Sequence, residues 1–450
     1  MRRNATNGII GRTAGTEKTV LTPSDFTYLG AVGIPLTEPP QGANNFAYQK
    51  GGLACRYVGA DLHIFITGKQ QNGGATPETN ELIYNATPTT NLAALNRCTW
   101  YRQWPDIFNG GLAVSDSNGA INFGLLWDGE KLIYSFSAWY SGEYCRALGA
   151  CTFNGTTSST SYGPWRPTCH SKQVNGLPGL IPERHRSAFG GRNCYGGGVN
   201  ASINNLNTWG FGFEAYSSAN MLSLPADSLT VDTERSISTQ RVMFADAASP
   251  MTRAATAQKC DRGVPETGYS CVAGPTTIYD PTTSWTYIDG AAGSCWIDNE
   301  TKHGLVYIGS LVDRVNDATF RTNNYNGDNI PHYWYSLSGI NCCHSHVTTG
   351  NGTGPHTPSS VPQMWIYDPA TILSAAASTI TPYQAANTPA TSHKHLYDYS
   401  SNFRYESSIP YGISCCYDSV SRLFFISWSD AEYLDPYASV PLIYVFQVAA

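Results

Sequence analysis

Short apolar runs alternate with polar turns along most of this chain, and the order of these elements repeats. In the last repeat, residues 412–418 lead through a turn at 419–422 into the strongly apolar run 423–428. A further apolar run follows at 442–448. Similar units occupy residues 46–85, 120–136 and 293–368. Short strands repeated between such turns predict an all-β fold of the β-propeller type, in which each unit forms one blade.

The number of blades follows from the number of units. A fifth, divergent unit covers residues 186–281, with its best strands at 208–213 and 241–244. This irregular region has room for a sixth unit, so the sequence predicts five or six blades. The spacing between units exceeds the roughly 40 to 50 residues of ordinary propeller repeats. We therefore expect long loops to project from the ring.

The two ends of the chain indicate how such a ring would close. The last unit has three strands, and residues 26–34 form an unpaired strand near the N-terminus. Because open sheet edges promote aggregation, we expect the N-terminal strand to pair with the C-terminal blade. The predicted organisation is an N-terminal arm, residues 1–20, and a single propeller domain, residues 21–450. One β-sandwich, or a pair of them, is the alternative, and it predicts no relation between the two ends.

The composition favours a folded and weakly charged protein. Charged residues make up 13% of the 450 residues and aromatic residues 12%, which does not match disordered segments. The net charge of −6, without a basic stretch, provides no electrostatic attraction to nucleic acid or anionic lipid. No apolar run reaches the roughly 18 residues of a membrane span. We expect no binding to nucleic acid and no membrane insertion.

The cysteines and the N-terminus give opposing indications of compartment. Thirteen cysteines are many for a cytosolic chain, and they favour an oxidising environment with disulfides. Residues 1–17 are mostly polar and lack the apolar core of a signal peptide. The vicinal pairs Cys342-Cys343 and Cys415-Cys416 should find partners elsewhere, because a disulfide between neighbours is strained. An extracellular or virion-surface location is the expectation.

The segment at residues 21–31 reads Leu-Thr-Pro-Ser-Asp-Phe-Thr-Tyr-Leu-Gly-Ala, and other distinctive segments lie at 124–129, 363–373 and 417–448. In these segments the chain resembles a group of uncharacterised β-propeller-like proteins of environmental bacteria and phages. The resemblance implies a propeller with a closing N-terminal strand. It implies no reaction, because none is assigned to that group.

Two histidines at alternate positions form the strongest candidate for a metal site. His344 and His346 would point to the same side of an extended strand, and neutral imidazoles bind divalent cations. The following loop, residues 347–354, is rich in Gly and Thr, and in such a loop both rings can be solvated. The expectation is therefore no cofactor, with a divalent metal at these histidines as the alternative.

Acidic residues are candidates for the catalytic groups that hydrolyse a glycosidic bond. This reaction uses two carboxyl groups, one protonated as general acid and one ionised as base or nucleophile. Asp128 and Asp418 lie in or beside turns, where Asp bonds its own backbone. Glu183 and Glu214 have no such explanation, so they are the candidates for the mouth of a propeller channel. No G-x-S-x-G elbow or phosphate-binding loop occurs in the sequence.

Aromatic residues near strand ends are candidates for ligand binding, because a flat ring can stack on the face of a sugar. The alternative is that each ring covers the core and leaves its polar tip in water. The candidate binding residues are Trp139, Tyr140, Tyr333, Trp334 and Trp428.

Together these features predict a non-enzymatic structural or binding module of an extracellular or particle-surface assembly, such as a phage virion or a cell-surface layer. Its expected partners are other protein subunits of that assembly, with a glycan as a candidate ligand. The alternative is a propeller-fold glycoside hydrolase that uses Glu183 and Glu214 as channel-mouth carboxylates.

Overall fold

A computed structural model gives the structure of this chain. The residues that it describes are 18–36, 52–68, 79–104, 107, 120–138, 147–154, 158–169, 174, 176–197, 211–219, 221–222, 236–245, 258–261, 270–271, 290–312, 319–321, 332–336, 360–386, 390–394, 413–435 and 438–450.

The elements are numbered in chain order. The first strands are β1 (Thr19–Val20), β2 (Phe26–Gly33), β3 (Leu53–Val58), β4 (Asp61–Thr67), β5 (Thr79–Ile83), β6 (Thr99–Trp104), β7 (Ala120–Trp127), β8 (Leu132–Ala138), β9 (Leu148–Asn154), β10 (Ser158–Pro167), β11 (Gly176–Leu180), β12 (Cys194–Gly197) and β13 (Phe211–Tyr216). The remaining strands are β14 (Ser236–Ile237), β15 (Gln240–Ala245), β16 (Gln258–Asp261), β17 (Ser270–Cys271), β18 (Gly290–Asp298), β19 (Lys302–Val312), β20 (Thr319–Arg321), β21 (His332–Ser336), β22 (Ser360–Tyr367), β23 (Thr391–Lys394), β24 (Ile413–Asp418), β25 (Leu423–Asp435) and β26 (Ala438–Val448). The helices are α1 (Pro369–Ala376) and α2 (Pro382–Ala386), with 3-10 turns at Pro23–Asp25, Leu92–Ala94 and Glu183–Phe189.

Five largely antiparallel sheets form the blades of a β-propeller. In order from first to last strand they are blade 1 (β3-β4-β5-β6), blade 2 (β7-β8-β9-β10, with β14 parallel to β10), blade 3 (β11-β12-β13-β15), blade 4 (β18-β19-β22-β23) and blade 5 (β24-β25-β26-β2). Each first strand contacts the first strand of the next blade, and β24 of blade 5 contacts β3 of blade 1. This closed succession confirms the predicted all-β propeller and gives five blades.

The N-terminal strand β2 lies beside β26 at the edge of the last blade. The two strands pair antiparallel from Phe26 opposite Val448 to Gly33 opposite Leu442. The neighbouring Ala31 also forms a backbone bridge to Thr89, which follows the third strand of blade 1. Blade 5 thus combines the first long strand of the chain with its last three strands.

Blade 3 begins earlier in the chain than the unit predicted at residues 186–281. Its first strand, β11, reads Gly-Leu-Pro-Gly-Leu and lacks the β-branched residues that mark most strands. The packing explains one of these glycines, because a Cβ on Gly179 would lie 2.2 Å from the ring of Tyr195. Close packing of the two strands therefore requires glycine at this position. Because glycine has a low strand propensity, β11 was not predicted from the sequence.

A further sheet, β17-β16-β21-β20, draws its strands from two connections. Strands β16 and β17 lie between blades 3 and 4, while β20 and β21 lie between the second and third strands of blade 4. This sheet is an insertion in the long connections and does not form a sixth blade.

Apolar side chains fill the spaces between neighbouring blades. Between blades 4 and 5 the cluster includes Val306, Ile366, Phe424 and Phe446, all with at most 1% exposure. Other clusters of this kind join blade 5 to blade 1 and blade 3 to blade 4. The blades are thus held side by side by hydrophobic burial.

Two short helices follow β22. The Asp368 carboxylate accepts a hydrogen bond from the Ala370 backbone N–H at 2.8 Å, which caps the start of α1. Both helices contact β15 of blade 3. No helix in the described part of the chain is long and apolar enough to cross a membrane.

Candidate functional site

The two ends of the ring carry different connections. The first and second strands of four blades are joined by tight turns, at residues 59–60, 128–131, 299–301 and 419–422. At the opposite end, longer connections join second to third strands in blades 1 to 4, whereas only residues 436–437 separate them in blade 5. The connections at residues 69–78 and 198–210 lie outside the described residues.

Glu183 lies at the end of the ring that carries the tight turns. It begins the 3-10 helix Glu183–Phe189, which joins β11 to β12 and replaces the tight turn in blade 3. Its side chain is exposed. Glu183 lies in the connection between β11 and β12, whereas Glu214 lies within β13 with its backbone opposite Gly196 of β12.

Glu214 lies in β13, the third strand of blade 3, and is 1% exposed. Its Oε1 accepts a hydrogen bond from Arg241 Nε at 2.9 Å, and the Thr239 side chain also bonds the carboxyl group. Burial raises the pKa of Glu214 above its ordinary value, and this outweighs the opposing effect of Arg241 and Thr239. The Arg241 side chain is 44% exposed. The carboxyl group is therefore buried beside a partly solvated cation.

A second buried glutamate, Glu81, shows a contrasting environment. It lies in β5, the third strand of blade 1, and is completely buried. Arg56 donates from Nε to Oε1 at 2.9 Å and from Nη2 to Oε2 at 3.0 Å. His63 Nδ1 lies 2.8 Å from Oε1, and Trp104 Nε1 donates to Oε2 at 2.7 Å. Both oxygens are occupied by neighbouring strands, so this network ties blade 1 together and leaves no room for a substrate.

The Arg56 guanidinium of this network also faces aromatic rings from two blades. Its central carbon lies 4.8 to 5.0 Å from the centroids of three rings, which is within the range of cation–π attraction. The three rings are those of Phe65, Trp127 and Phe153.

The aspartates in the tight turns bond their own backbone, as their sequence positions suggest. Asp128 Oδ1 accepts from the N–H groups of Glu130 and Lys131 at 3.1 and 3.0 Å. Burial opposes ionisation of Asp128, but the Lys131 ammonium, 2.6 Å away, and these N–H groups together lower its pKa. Asp418 likewise accepts from the N–H groups of Val420 and Ser421. These carboxylates shape turns.

A polar cluster fastens the 3-10 helix of blade 3 to blade 4. Asp298 Oδ1 accepts from Lys18 Nζ and Arg184 Nη2, both at 2.7 Å. Arg184 Nη2 also donates to His303 Nδ1 at 2.9 Å. Burial and the Arg184 cation lower the pKa of His303, so its ring is neutral at pH 7. Sequence reasoning missed this cluster because its members come from four separate segments of the chain.

The aromatic and histidine candidates have different outcomes. Trp428 lies in β25, is half-buried, and packs against the cluster between blades 4 and 5. Tyr333 and Trp334 lie in β21, and their side chains are outside the described part. Among the described residues no group of three or more His, Cys, Asp or Glu could hold a metal ion. The remaining candidates lie outside the described residues: Trp139, Tyr140, His344 and His346.

Comparison with solved structures finds chains of low identity. A putative glycoside hydrolase from Bacteroides ovatus is 9% identical, with a TM-score of 0.38 over 96% of each chain. An α-L-arabinanase from Cellvibrio cellulosa is 9% identical, with a TM-score of 0.37 over 90% of this chain and 95% of its own. A structure from the GH130 family of mannoside phosphorylases is 10% identical, with a TM-score of 0.35 over 96% of this chain and 99% of its own. No family model and no curated protein matches the chain.

These comparisons correct the function predicted from the sequence. The similar structures are described as enzymes of glycosidic linkages, so the predicted non-enzymatic module of a virion or surface assembly is wrong. The error arose because the prediction relied on low charge and Gly-rich loops. These features concern only the protein surface, and an enzyme can have the same kind of surface.

Proposed function

We propose that this protein is a glycoside hydrolase in which Glu214 is the general acid. The observation that carries the proposal is the environment of Glu214, which is buried beside one partly exposed cation and is held toward its protonated form. A carboxylic acid kept protonated near neutral pH by burial is what the leaving-group step of glycoside hydrolysis requires.

In the proposed reaction, the Glu214 carboxyl group donates its proton to the glycosidic oxygen as the bond from C1 to that oxygen breaks. The electron pair of the broken bond stays on the leaving oxygen. A second, ionised carboxylate either attacks C1 or activates the water that does so. Arg241 lies between the Glu214 carboxyl group and solvent, so substrate entry requires this side chain to move.

The second carboxylate belongs to the acids whose oxygens are not already committed to other groups. Glu81, Asp298 and Glu432 each bind two or more donors, while Asp128 and Asp418 are fixed in turns. A scan of the remaining acids by Asp→Asn and Glu→Gln substitution assigns it. The expected variant loses turnover on every substrate, including those with leaving groups that need no proton.

Aryl glycosides with different leaving groups test the role of Glu214. We expect Glu214→Gln to lower kcat/KM on 4-nitrophenyl glycosides by about 10² to 10⁴-fold, the usual contribution of a general acid. With 2,4-dinitrophenyl glycosides the loss should be small, because that leaving group departs without protonation. The control is Glu432→Gln, which removes a glutamate paired with Arg97 in another blade interface.

Two results would contradict the proposal. Equal losses on both kinds of aryl glycoside would remove Glu214 from the role of acid. The absence of turnover by the wild-type protein on an α- and β-linked panel of hexosides and pentosides would count against hydrolysis itself.

The working environment that we propose is extracellular. The 13 cysteines and the low charge of the chain support it. Protein from its native source, denatured and titrated for thiols, should show fewer than thirteen free thiols. A count close to thirteen would contradict this location.

A further inference from the structure

Blade 5 carries two adjacent cysteines in its first strand, β24. Successive side chains of a strand point to opposite faces, and the two thiols accordingly enter different interfaces. Cys415 belongs to the apolar cluster between blades 4 and 5, whereas Cys416 packs against the cluster between blades 5 and 1. The vicinal pair therefore faces both neighbours of the blade.

Cys415 meets a cysteine of blade 4. Cys295 lies in β18, and the neighbouring Cys415 thiol contributes, after burial, to the raised pKa of the Cys295 thiol. The two strands approach closely here, since a Cβ on Gly293 would lie 2.7 Å from the Cys415 backbone nitrogen and 3.0 Å from its Sγ. Cys295 and Cys415 are 8% and 5% exposed.

Cys416 meets a cysteine of blade 1 in the same way. Cys55 lies in β3, which contacts β24, and the neighbouring Cys55 thiol contributes, after burial, to the raised pKa of the Cys416 thiol. Both residues are half-buried beside the cluster that joins blades 5 and 1. The four cysteines thus form two thiol pairs, one in each interface of blade 5, and all four are thiols in this structure.

We propose that these pairs oxidise to two disulfides, Cys295–Cys415 and Cys55–Cys416, which join blades 4, 5 and 1 covalently. In each step two thiols form one S–S bond and give up two protons and two electrons. The oxidant is a disulfide compound, such as an oxidoreductase or oxidised glutathione, which is reduced to two thiols through a mixed disulfide.

The position of the two thiol pairs indicates that the cross-links would stabilise the closed ring. Blade 5 contains both β2 and the last three strands, so its two interfaces join both ends of the propeller chain to blades 4 and 1. Each disulfide would connect residues far apart in sequence, and a cross-link that closes a long loop restricts the unfolded chain most. Two disulfides would therefore oppose opening of the ring on both sides of blade 5.

The burial of the thiols indicates when the reaction occurs. Burial, with a neighbouring thiol as the next cause, raises the pKa of both Cys295 and Cys416. The reactive thiolate is scarce in the folded ring. Oxidation therefore belongs to the period in which the ring assembles, and the finished cross-links are shielded from external reductant.

Disulfide mapping of the refolded full chain tests the proposal. The protein is refolded with reduced and oxidised glutathione, alkylated in denaturant without reductant, digested, and analysed by mass spectrometry. We expect Cys416→Ser to retain only the Cys295–Cys415 link, and Cys415→Ser to retain only the Cys55–Cys416 link. A bond between Cys415 and Cys416 themselves, or four alkylated thiols, would overturn the proposal.

Thermal unfolding provides a second readout. We expect the oxidised protein to unfold about 5 °C above the reduced protein, with part of this shift lost in Cys295→Ser and part in Cys55→Ser. The matched control is Cys98→Ser, which replaces a buried cysteine without a thiol partner among the described residues and should keep the full shift. Equal midpoints for oxidised and reduced wild-type protein would contradict the stabilising role.

Discussion

Glu81 and Glu214 occupy third strands of their blades, and each is buried beside an arginine. Their surroundings nevertheless give them different properties. Glu81 binds four donor groups through both oxygens, and its partner Arg56 is only 12% exposed. Glu214 has the partly solvated Arg241 and a pKa raised by burial. At the scale of the residue, one glutamate is structural and the other is available for proton transfer.

Substitution of each glutamate by glutamine should separate these roles. Glu81→Gln leaves Arg56 buried without a counter-charge, and we expect it to lower the free energy of unfolding by about 3 kcal/mol. Glu214→Gln should change it by less than about 1 kcal/mol, because it removes a carboxyl group that burial already disfavours as an ion. Urea denaturation at pH 7 measures both. Equal losses would contradict the distinction.

The raised pKa of Glu214 predicts a pH dependence of stability. The folded state holds this proton more tightly than the unfolded state, in which the carboxyl group has the ordinary glutamate pKa of 4.5. The associated stability is therefore fully present below pH 4.5 and is lost as the pH rises through the folded pKa. Urea denaturation between pH 4 and 8 should show a smaller decline for Glu214→Gln than for wild type. Parallel curves would show that the folded pKa is not raised.

The residue scale also shows what sequence reasoning can reach. Glu214 was a candidate because no turn explained it, and the structure places it in β13, buried beside Arg241. The Glu81 network was missed because Arg56, His63 and Trp104 come from three other strands of the same blade. The four side chains come together only through the register of those strands. This register cannot be read from a single sequence.

At the scale of elements, β2 depends on a glycine at its register shift. Gly30 has φ +125, and a Cβ there would lie 2.5 Å from the Thr89 backbone. Ala31 N–H, the next in the strand, donates to Thr89 O at 2.9 Å. The close approach of β2 to blade 1 therefore has no space for a side chain.

Replacing this glycine should weaken the contact of β2 with blade 1. We expect Gly30→Ala to cost about 3 kcal/mol of unfolding free energy, through both backbone strain and the clash. The control is Gly129→Ala, at φ +101 with nothing within 4 Å of an added Cβ, which should cost about 1 kcal/mol from strain alone. Equal effects in urea denaturation would contradict the role of the contact.

The turn of blade 2 depends on the ion pair between Asp128 and Lys131, in which both side chains are 5% exposed. We expect Asp128→Asn to cost about 3 kcal/mol at pH 7, because the buried Lys131 charge then keeps the exposed Glu130 carboxylate, 3.7 Å away, in place of its 2.6 Å partner. The pKa of Asp128 is lowered in the folded state, so its contribution is present above its unfolded value of 3.8 and is lost as the pH falls through the folded pKa.

Urea denaturation between pH 2 and 7 checks this prediction. The difference between wild type and Asp128→Asn should shrink toward the acid end of the range. Asp61→Asn, at an exposed position that begins β4, serves as the control and should follow wild type throughout. A difference between wild type and Asp128→Asn that does not change with pH would contradict the assignment.

Some elements were readable from the sequence and others were not, for physical reasons. Strand β25 begins with a strongly apolar run after an Asp-led turn, so pattern and chemistry agree. Strand β11 carries Gly and Pro where another strand packs against it, so its propensity opposes its structure. Helix α1 was missed because the strand pattern alone was followed there, and its capping residue Asp368 comes directly after strand β22.

At the scale of the whole molecule, the sequence pattern that predicts the ring is repeated in several blades. Each blade repeats a strand, a turn and a second strand. The fold was therefore predicted correctly although strand β11 was not recognised. A catalytic site has no such redundancy, because it joins single side chains from different blades. This difference explains why the fold was predicted correctly and the main functional prediction was wrong.

The most direct test of the account is whether the protein releases reducing ends from polysaccharides. Wild-type protein, Glu214→Gln and Glu432→Gln are each incubated with a panel of plant and fungal polysaccharides at pH 5 to 7. We predict that wild type and Glu432→Gln release reducing ends from at least one polysaccharide, and that Glu214→Gln releases about 10²-fold less or lower still. No release by the wild-type protein, or full release by Glu214→Gln, would contradict the central claim.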